Sequence, residues 1–151
     1  MSSNTVYIDM HRSLLSYCDK FLGRNGITGF QVFDWDSHNT IEVLPDSHLI
    51  GISDYAITNE GKKYRIECML AICTMTDDKD LKILRSVMAK LFNELQPGTT
   101  GELLPVLDVN GVKRGYLTVG EQVGATSIGS TDTRPLIGLM VSFGAGYIDL
   151  P

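Results

Sequence analysis

The sequence predicts an α+β fold: a mainly antiparallel sheet with two main helices packed against it. Three observations predict it. Two segments repeat apolar residues at helical spacing. Between and after them lie runs of strand length, separated by turn residues such as Asn59-Glu60-Gly61 and Asn110-Gly111. The order is one helix, a strand meander, one helix, and a second set of strands, which is the pattern of an α+β domain. The 151 residues are the size of a single domain, 1–151.

The first helix is expected from about Val6 to Leu22. Met10, Leu14, Cys18, Phe21 and Leu22 recur as one stripe of a 3.6-residue helix, and Asp9, Arg12, Ser13, Ser16, Asp19 and Lys20 take much of the remaining surface. Asn4 or Thr5 is placed to cap its start, and Gly23 to take the left-handed turn at its end. Phe30 to Phe33 is a short strand, and residues 37–49 around Pro45 are an irregular connection. Two long strands follow, Gly51 to Thr58 and Lys62 to Met75. On the second, Tyr64, Ile66, Cys68, Leu70 and Ile72 share one face. Lys63, Arg65 and Glu67 open the other face, which turns apolar at Met69, Ala71 and Cys73. Such a strand is half-exposed at one end and covered on both faces at the other.

Thr76 or Asp77 is expected to cap the second helix, with Leu81, Leu84, Val87, Met88, Leu91, Phe92 and Leu95 as its apolar stripe. Gln96-Pro97-Gly98 stops it. Acidic residues at its start and Lys90 toward its end suit the helix macrodipole. Its opposite face, with Lys79, Lys82, Arg85, Ser86 and Lys90, is a solvated charged surface. Leu103–Val109 and Val112–Val119 around Asn110-Gly111 predict a hairpin with a primed two-residue turn. The Gly-, Ser- and Thr-rich stretch 120–134 is expected as a flexible or interface loop that orders against a neighbouring copy or another protein. The apolar run Leu136 to Phe143 is a central strand covered on both faces.

Composition narrows the function classes. Hydrophobic residues are 43% and charged residues 21%, which excludes a disordered tail. The net charge of −5 disfavours broad binding to a polyanion. The first residues lack the pattern of a secretory signal, and no stretch approaches the ~20 apolar residues of a membrane span. Cys18, Cys68 and Cys73 are an odd number without a CxxC pair, as expected of reduced core thiols in a protein made in the cytosol.

No phosphate-cradling motif occurs, and Gly144-Ala145-Gly146 follows a strand without opening a helix. The segment Asp34-Trp35-Asp36-Ser37-His38-Asn39 begins like a calcium loop but has Asn39 and Pro45 where Gly and Glu are required. His11, His38 and His48 show no metal-ligand spacing. An enzyme would have to draw on Cys18, on His38, or on the carboxylates Asp34 and Asp36, which share a face of an extended segment. The chain is therefore read as no enzyme, with no catalytic, cofactor or metal residue assigned. Trp35, a lone tryptophan on a loop, is either an anchor closing the sheet edge or an interface hot spot.

The helix Val6–Leu22, the hairpin GISDYAITNEGKKYRIECMLAIC, the helix DKDLKILRSVMAKLFNEL and the closing strand RPLIGLMVSF resemble, in that order, the tail terminator (tail completion) proteins of long-tailed bacteriophages. The likeness is architectural and covers almost the whole chain. It implies a structural virion protein at the neck end of the tail, assembled in the host cytoplasm. That protein would form a homohexameric ring that caps the tail tube, ends its polymerisation and joins it to the neck or connector. Its implied partners are its own copies, the tail tube protein, neck and connector proteins and the sheath of a contractile tail. DNA would pass through the lumen without specific binding, and no membrane is involved. Candidate interface residues are Trp35, Met69, Glu121, Gln122, Thr126, Ser127, Ile128 and Arg134. Another neck or baseplate component, or a small-ligand-binding α+β module, is the alternative.

Overall fold

The computed structural model of the protein describes residues 3–37, 46–99, 104–131 and 134–148. In chain order they form α1 (Ser3–Arg24), β1 (Phe30–Asp34), β2 (His48–Asn59), β3 (Tyr64–Cys73), a 3-10 turn (Lys79–Leu81), α2 (Lys82–Glu94), β4 (Pro105–Leu107), β5 (Lys113–Thr131) and β6 (Arg134–Ala145). One six-stranded sheet runs in the order β1-β2-β3-β6-β5-β4. Every pairing is antiparallel except β1 with β2, which is parallel. A parallel pair needs a connection of about a dozen residues, and the chain between Asp34 and His48 is of that length. Residues 38–45 of that connection, His38 included, lie outside the described residues, whereas His48 and Leu49 belong to β2.

α1 begins before the expected caps Asn4 and Thr5, which lie inside it. Its end also moves. Gly23 is still helical, and Gly26, at φ 62°, takes the left-handed position. The Ile27 N–H reaches the Leu22 carbonyl at 3.0 Å and the Gly26 N–H reaches that of Gly23 at 3.3 Å, the paired bonds of a Schellman cap. The predicted stripe is buried throughout. Asp9 and Ser13, expected on the surface, are buried as well. Asp9 accepts hydrogen bonds from Arg12 at 2.9 Å and from the Tyr147 hydroxyl at 2.6 Å. The Ser13 hydroxyl accepts the Leu107 N–H at 3.0 Å, tying α1 to β4.

α2 starts at Lys82, later than expected, because Asp80 and Leu81 both sit in the left-handed region. Its N-cap is Leu81 rather than Thr76 or Asp77, and the first amides are satisfied from further back: the Asp78 carboxylate accepts the N–H groups of Ile83 and Leu84 at 2.9 and 3.0 Å. The Asn110-Gly111 hairpin also departs from expectation. Gly111 alone has positive φ, the Gly111 N–H bonds the Asp108 carbonyl at 3.0 Å, and Asp108 Oδ1 accepts the Asn110 and Val112 N–H groups, each at 2.9 Å. The buried Asp108 carboxylate thus replaces the primed two-residue turn with a wider one.

The largest correction falls on 120–134. As far as Thr131 this stretch is strand, continuous with β5 and paired with β6 through irregular register at three places. Irregular pairing lets glycine-rich sequence stay in a ladder without strict alternation. β6 is central as predicted, but its outer face is not covered throughout, since Met140 is 40% exposed.

Buried residues of α1, α2 and the strands form one hydrophobic cluster, with Ile50, Ile52, Ile66, Leu70, Leu139 and Phe143 at its sheet side. A second, smaller cluster on the opposite sheet face holds Phe33, Leu49 and Cys73, with Trp35 and Leu136 against it. On that face Gly51 is in close approach to β1: an added Cβ would meet the Phe33 carbonyl oxygen at 1.6 Å. Gly51→Ala is expected to force β1 away from β2 and lower stability by at least about 2 kcal/mol in urea unfolding. An unchanged midpoint would contradict that contact.

His48, buried in β2, accepts the Met75 N–H on Nδ1 at 2.9 Å. Burial holds its imidazole below the usual histidine value, so the folded state favours the neutral ring. The unfolded chain therefore takes up a proton first as pH falls. Stability should be full above about pH 6.5 and decline as pH drops below it, down to the lowered folded value. His48→Asn, which keeps an acceptor and removes the titration, should flatten that decline in denaturant midpoints measured between neutral and mildly acidic pH. A slope equal to that of the unaltered chain would assign the effect to another group.

Candidate functional site: the open sheet face

Along β3 the side chains facing away from the main core change from exposed to buried: Arg65 and Glu67 are exposed, Met69 is half-buried, and Ala71 and Cys73 are buried. The buried end is the smaller cluster. Trp35 rests there against Phe33, ring centroids 4.8 Å apart and edge to face, and its N–H bonds the Ile52 carbonyl at 3.0 Å. Its indole Nε1 is buried without a hydrogen-bond partner among the described residues. That packing is what its reading as an anchor at the sheet edge describes.

At the other end the face is open. Cross-strand register puts Ser53 opposite Met69, Met69 opposite Met140, and Met140 opposite Val123, so four strands contribute one row. Val123 is 59% exposed and Met140 40%. The next row toward the open end pairs Glu67 with Ser142 and Ser142 with Glu121. The Ser142 hydroxyl accepts the Glu121 N–H at 3.1 Å where the ladder slips by one residue. Arg65 lies 3.7 Å from Glu60 and 3.4 Å from Glu67. Of these residues, Glu60, Arg65, Glu67, Glu121, Val123, Met140 and Ser142 line a shallow groove of about 570 Å³, with Met140 and Val123 as its apolar part and carboxylates around them; Met69 lies beside it, half-buried.

The predicted interface set is thereby divided. Met69 and Glu121 come together on the open face. Gln122 belongs to the opposite side, where its amide donates to the Phe92 and Leu95 carbonyls at 2.7 and 3.0 Å and closes the C-terminal end of α2. Arg134 is buried and serves this chain internally, donating from Nε to the Thr74 carbonyl at 3.3 Å and from the other end of its guanidinium to the Ser47 carbonyl. Thr126, Ser127 and Ile128 lie in β5, and their side chains are outside the described residues. Val123 and Met140 were missed. Met140 was assigned to a doubly covered strand, and Val123 was hidden in the expected loop.

The fold also gathers His11, Asp34 and Asp36, with one ligating atom from each within 4.8 Å of the others. Their carboxylates are engaged in local structure. Asp34 accepts the Asp36 N–H at 3.1 Å and the Ser37 hydroxyl at 2.6 Å, and stands 3.4 Å from His11 Nε2. Asp36 accepts the N–H groups of Asp54 and Tyr55 at 2.9 and 3.1 Å. It thereby holds the irregularity in β2, where Asp54 has φ 56°. Cys18 is fully buried and its thiol is pushed up to about 12 by burial, the inert state of a core cysteine. Among the described residues, no helix is long and apolar enough to cross a membrane.

Openness of the face is testable in the isolated chain. Val123→Asp should shift unfolding free energy by no more than about 1 kcal/mol, the span of exposed strand positions. Leu70→Asp, on the buried side of β3, should abolish folding because it leaves a carboxylate uncompensated in the core. Equal damage from both, read by circular dichroism and urea titration, would show that the face is closed.

No protein-family model matches the chain, and no curated protein matches it. Of the solved structures it is similar to, one shares 16% sequence identity, the alignment covering 100% of this chain and 99% of the other, with a TM-score of 0.44.

Proposed function

We propose that this chain is a structural assembly protein that associates with copies of itself into a closed ring, and that the ring is the hexameric tail terminator its element order resembles. In this reading both helices pack on one face of the sheet, which the cluster shared by α1, α2 and the strands supports. The opposite face then has to meet something other than the chain's own helices. The observation that carries the proposal is the Met69–Met140–Val123 row, an apolar strip left open at the centre of the sheet. Ring closure needs a heterologous contact, one surface of a copy meeting a different surface of the next. The ring would cap the tail tube and join it to neck proteins, with no chemical step. Another neck or baseplate component would use the same face.

A small-ligand module is supported less well. The half-open pocket between α1 and the β4–β5 hairpin, lined in part by Arg12, Lys20, Leu104 and Asp108, holds about 200 Å³. Ligand pockets commonly run to roughly 300–1,000 Å³ and enclose most of the ligand; the groove of about 570 Å³ on the open face reaches that volume but is shallow.

Light scattering across a concentration series is expected to show a mass of about six copies, and the purified protein should stop the growth of tail tubes in vitro. A sample that stays a single chain at the highest concentration, beside tail tubes, and gains thermal stability from a small molecule would overturn the proposal.

A further inference from the structure

We infer that the occupant of the open sheet face is the exposed, basic face of α2 from a second copy, in a head-to-tail contact. This rests on the ring reading and names the two surfaces that such a ring would join.

The two surfaces are complementary in charge and form. The open face has Met140 and Val123 at its centre and Glu60, Glu67 and Glu121 around them, with Arg65 already between Glu60 and Glu67. Among the described residues Glu121 makes no ion pair. α2 buries Leu84, Val87, Met88 and Leu91 on its inner side. Its outer side exposes Lys82, Arg85 and Lys90, with Ile83 39% exposed among them; just before the helix Lys79 is exposed beside Asp77 and Asp80, so the positive charge is concentrated along the helix itself. None of these four cations has an ion-pair partner among the described residues; Lys20 on α1 and Lys62 and Lys63 at the β2–β3 turn have none either, but they do not form a row along one helix, and Arg12, Arg24 and Arg114 are engaged within the chain.

The other exposed apolar groups fit less well. Tyr7 and Ile8 on α1 flank Asp9 and bring no surplus of positive charge. At the β4–β5 hairpin the Lys113 ammonium lies 3.6 Å from the Tyr116 ring centroid, and Arg114 holds Asp108 at 2.8 Å, so both cations are already committed.

The geometry also sets the type of contact. α2 draws its buried residues into the cluster on the inner sheet face, and the open face is the opposite one. A copy seated by its α2 on the open face still presents its own open face to the next copy. The contact therefore repeats in one direction, as a ring requires, and does not end at a two-fold dimer. Charges around such a contact steer association and fix register, so assembly should weaken with salt.

The test uses the full chain in two forms. Its cysteines are buried and unreactive, so single thiols placed on the surface report selectively. Val123→Cys and Ser86→Cys are made separately, and each is verified as folded by circular dichroism. Mixed under mild oxidation they are expected to form a cross-linked heterodimer, while neither alone cross-links above the background of the unaltered chain. In parallel, Lys82→Glu/Arg85→Glu and Glu67→Lys/Glu121→Lys should each raise the concentration for half-assembly at least tenfold, and mixing the two should restore assembly of alternating copies, because every contact between unlike copies then joins an acidic surface to a basic one. Val123→Cys cross-linking to itself, or charge reversals that assemble like the unaltered chain, would overturn this contact while leaving the ring intact. An unaltered chain that never assembles would instead overturn the ring reading and this contact with it.

Discussion

The pairing of β3 with β6 is the constraint on which the rest of the molecule depends. Ten consecutive residue pairs, from Tyr64 with Ala145 to Cys73 with Leu136, run without a slip through the centre of the sheet. Alternation makes this ladder decide both faces at once. Ile66, Cys68, Leu70 and Ile72 with Leu139, Val141 and Phe143 fill the main core, and the intervening positions must lie on the outer face. A one-residue shift would bring Arg65 and Glu67 into the core and expel Ile66 and Leu70, which is why the register here is unambiguous. The irregularities are all elsewhere: within β2 at Ser53–Ala56, between β4 and β5, and at three places along the β5–β6 ladder.

Three aspartates serve as backbone ligands. Asp36 accepts two N–H groups at the β2 irregularity, Asp78 accepts two at the start of α2, and Asp108 accepts two in the hairpin turn. Each stands where the chain leaves regular geometry and would otherwise strand N–H groups without a partner. For Asp78, burial works against the charged form, but the N–H groups of Ile83 and Leu84 outweigh it and hold the carboxyl below its ordinary range. For Asp108 the Val112 N–H acts first in the same direction, with Arg114 adding to it. Asp36, which the sequence places in a fragment resembling a calcium loop, thus has a part in local architecture.

This explains which parts of the molecule were legible in the sequence. The stripe Met10–Leu14–Cys18–Phe21, the gradient from Arg65 to Cys73 and the inner side of α2 follow from burial periodicity, and periodicity depends only on the local repeat. The parallel partner of β1 was not legible, because nothing within FQVFD states which neighbour it takes. The residues that close the helix ends were misplaced for a related reason: Gly26 and Asp78 are chosen by where tertiary packing ends each helix, and Gly23 and Thr76 were equally good local candidates. The stretch 120–131 concealed its strand behind glycine and three register slips, which remove the alternation that identifies a strand. On the open face, the positions of Met69 and Glu121 were legible as candidates, and those of Val123 and Met140 were not, since only the register of β5 on β6 aligns them.

What remains open on the outer face is unequal in a way that bears on assembly. Trp35, Phe33 and Leu136 close one end around Leu49 and Cys73, so the sheet is doubly covered exactly where Gly51 lets β1 approach β2 without a side chain between them. The other end keeps two large apolar side chains in water. Covering apolar surface is worth about 25 cal/mol per Å². A stable protein–protein contact removes on the order of 1,600 Å² in total. The row of Met69, Met140 and Val123 is far smaller than that, so it can supply the centre of a contact but not the whole of it. The remainder must come from polar and charged surface around it, and that surface sets which partner is accepted. A rim of carboxylates favours a basic surface over an acidic one. On a chain of net charge −5, Lys82, Arg85 and Lys90 on the exposed side of α2 have no ion-pair partner among the described residues, which makes that helix the basic surface of most even pattern.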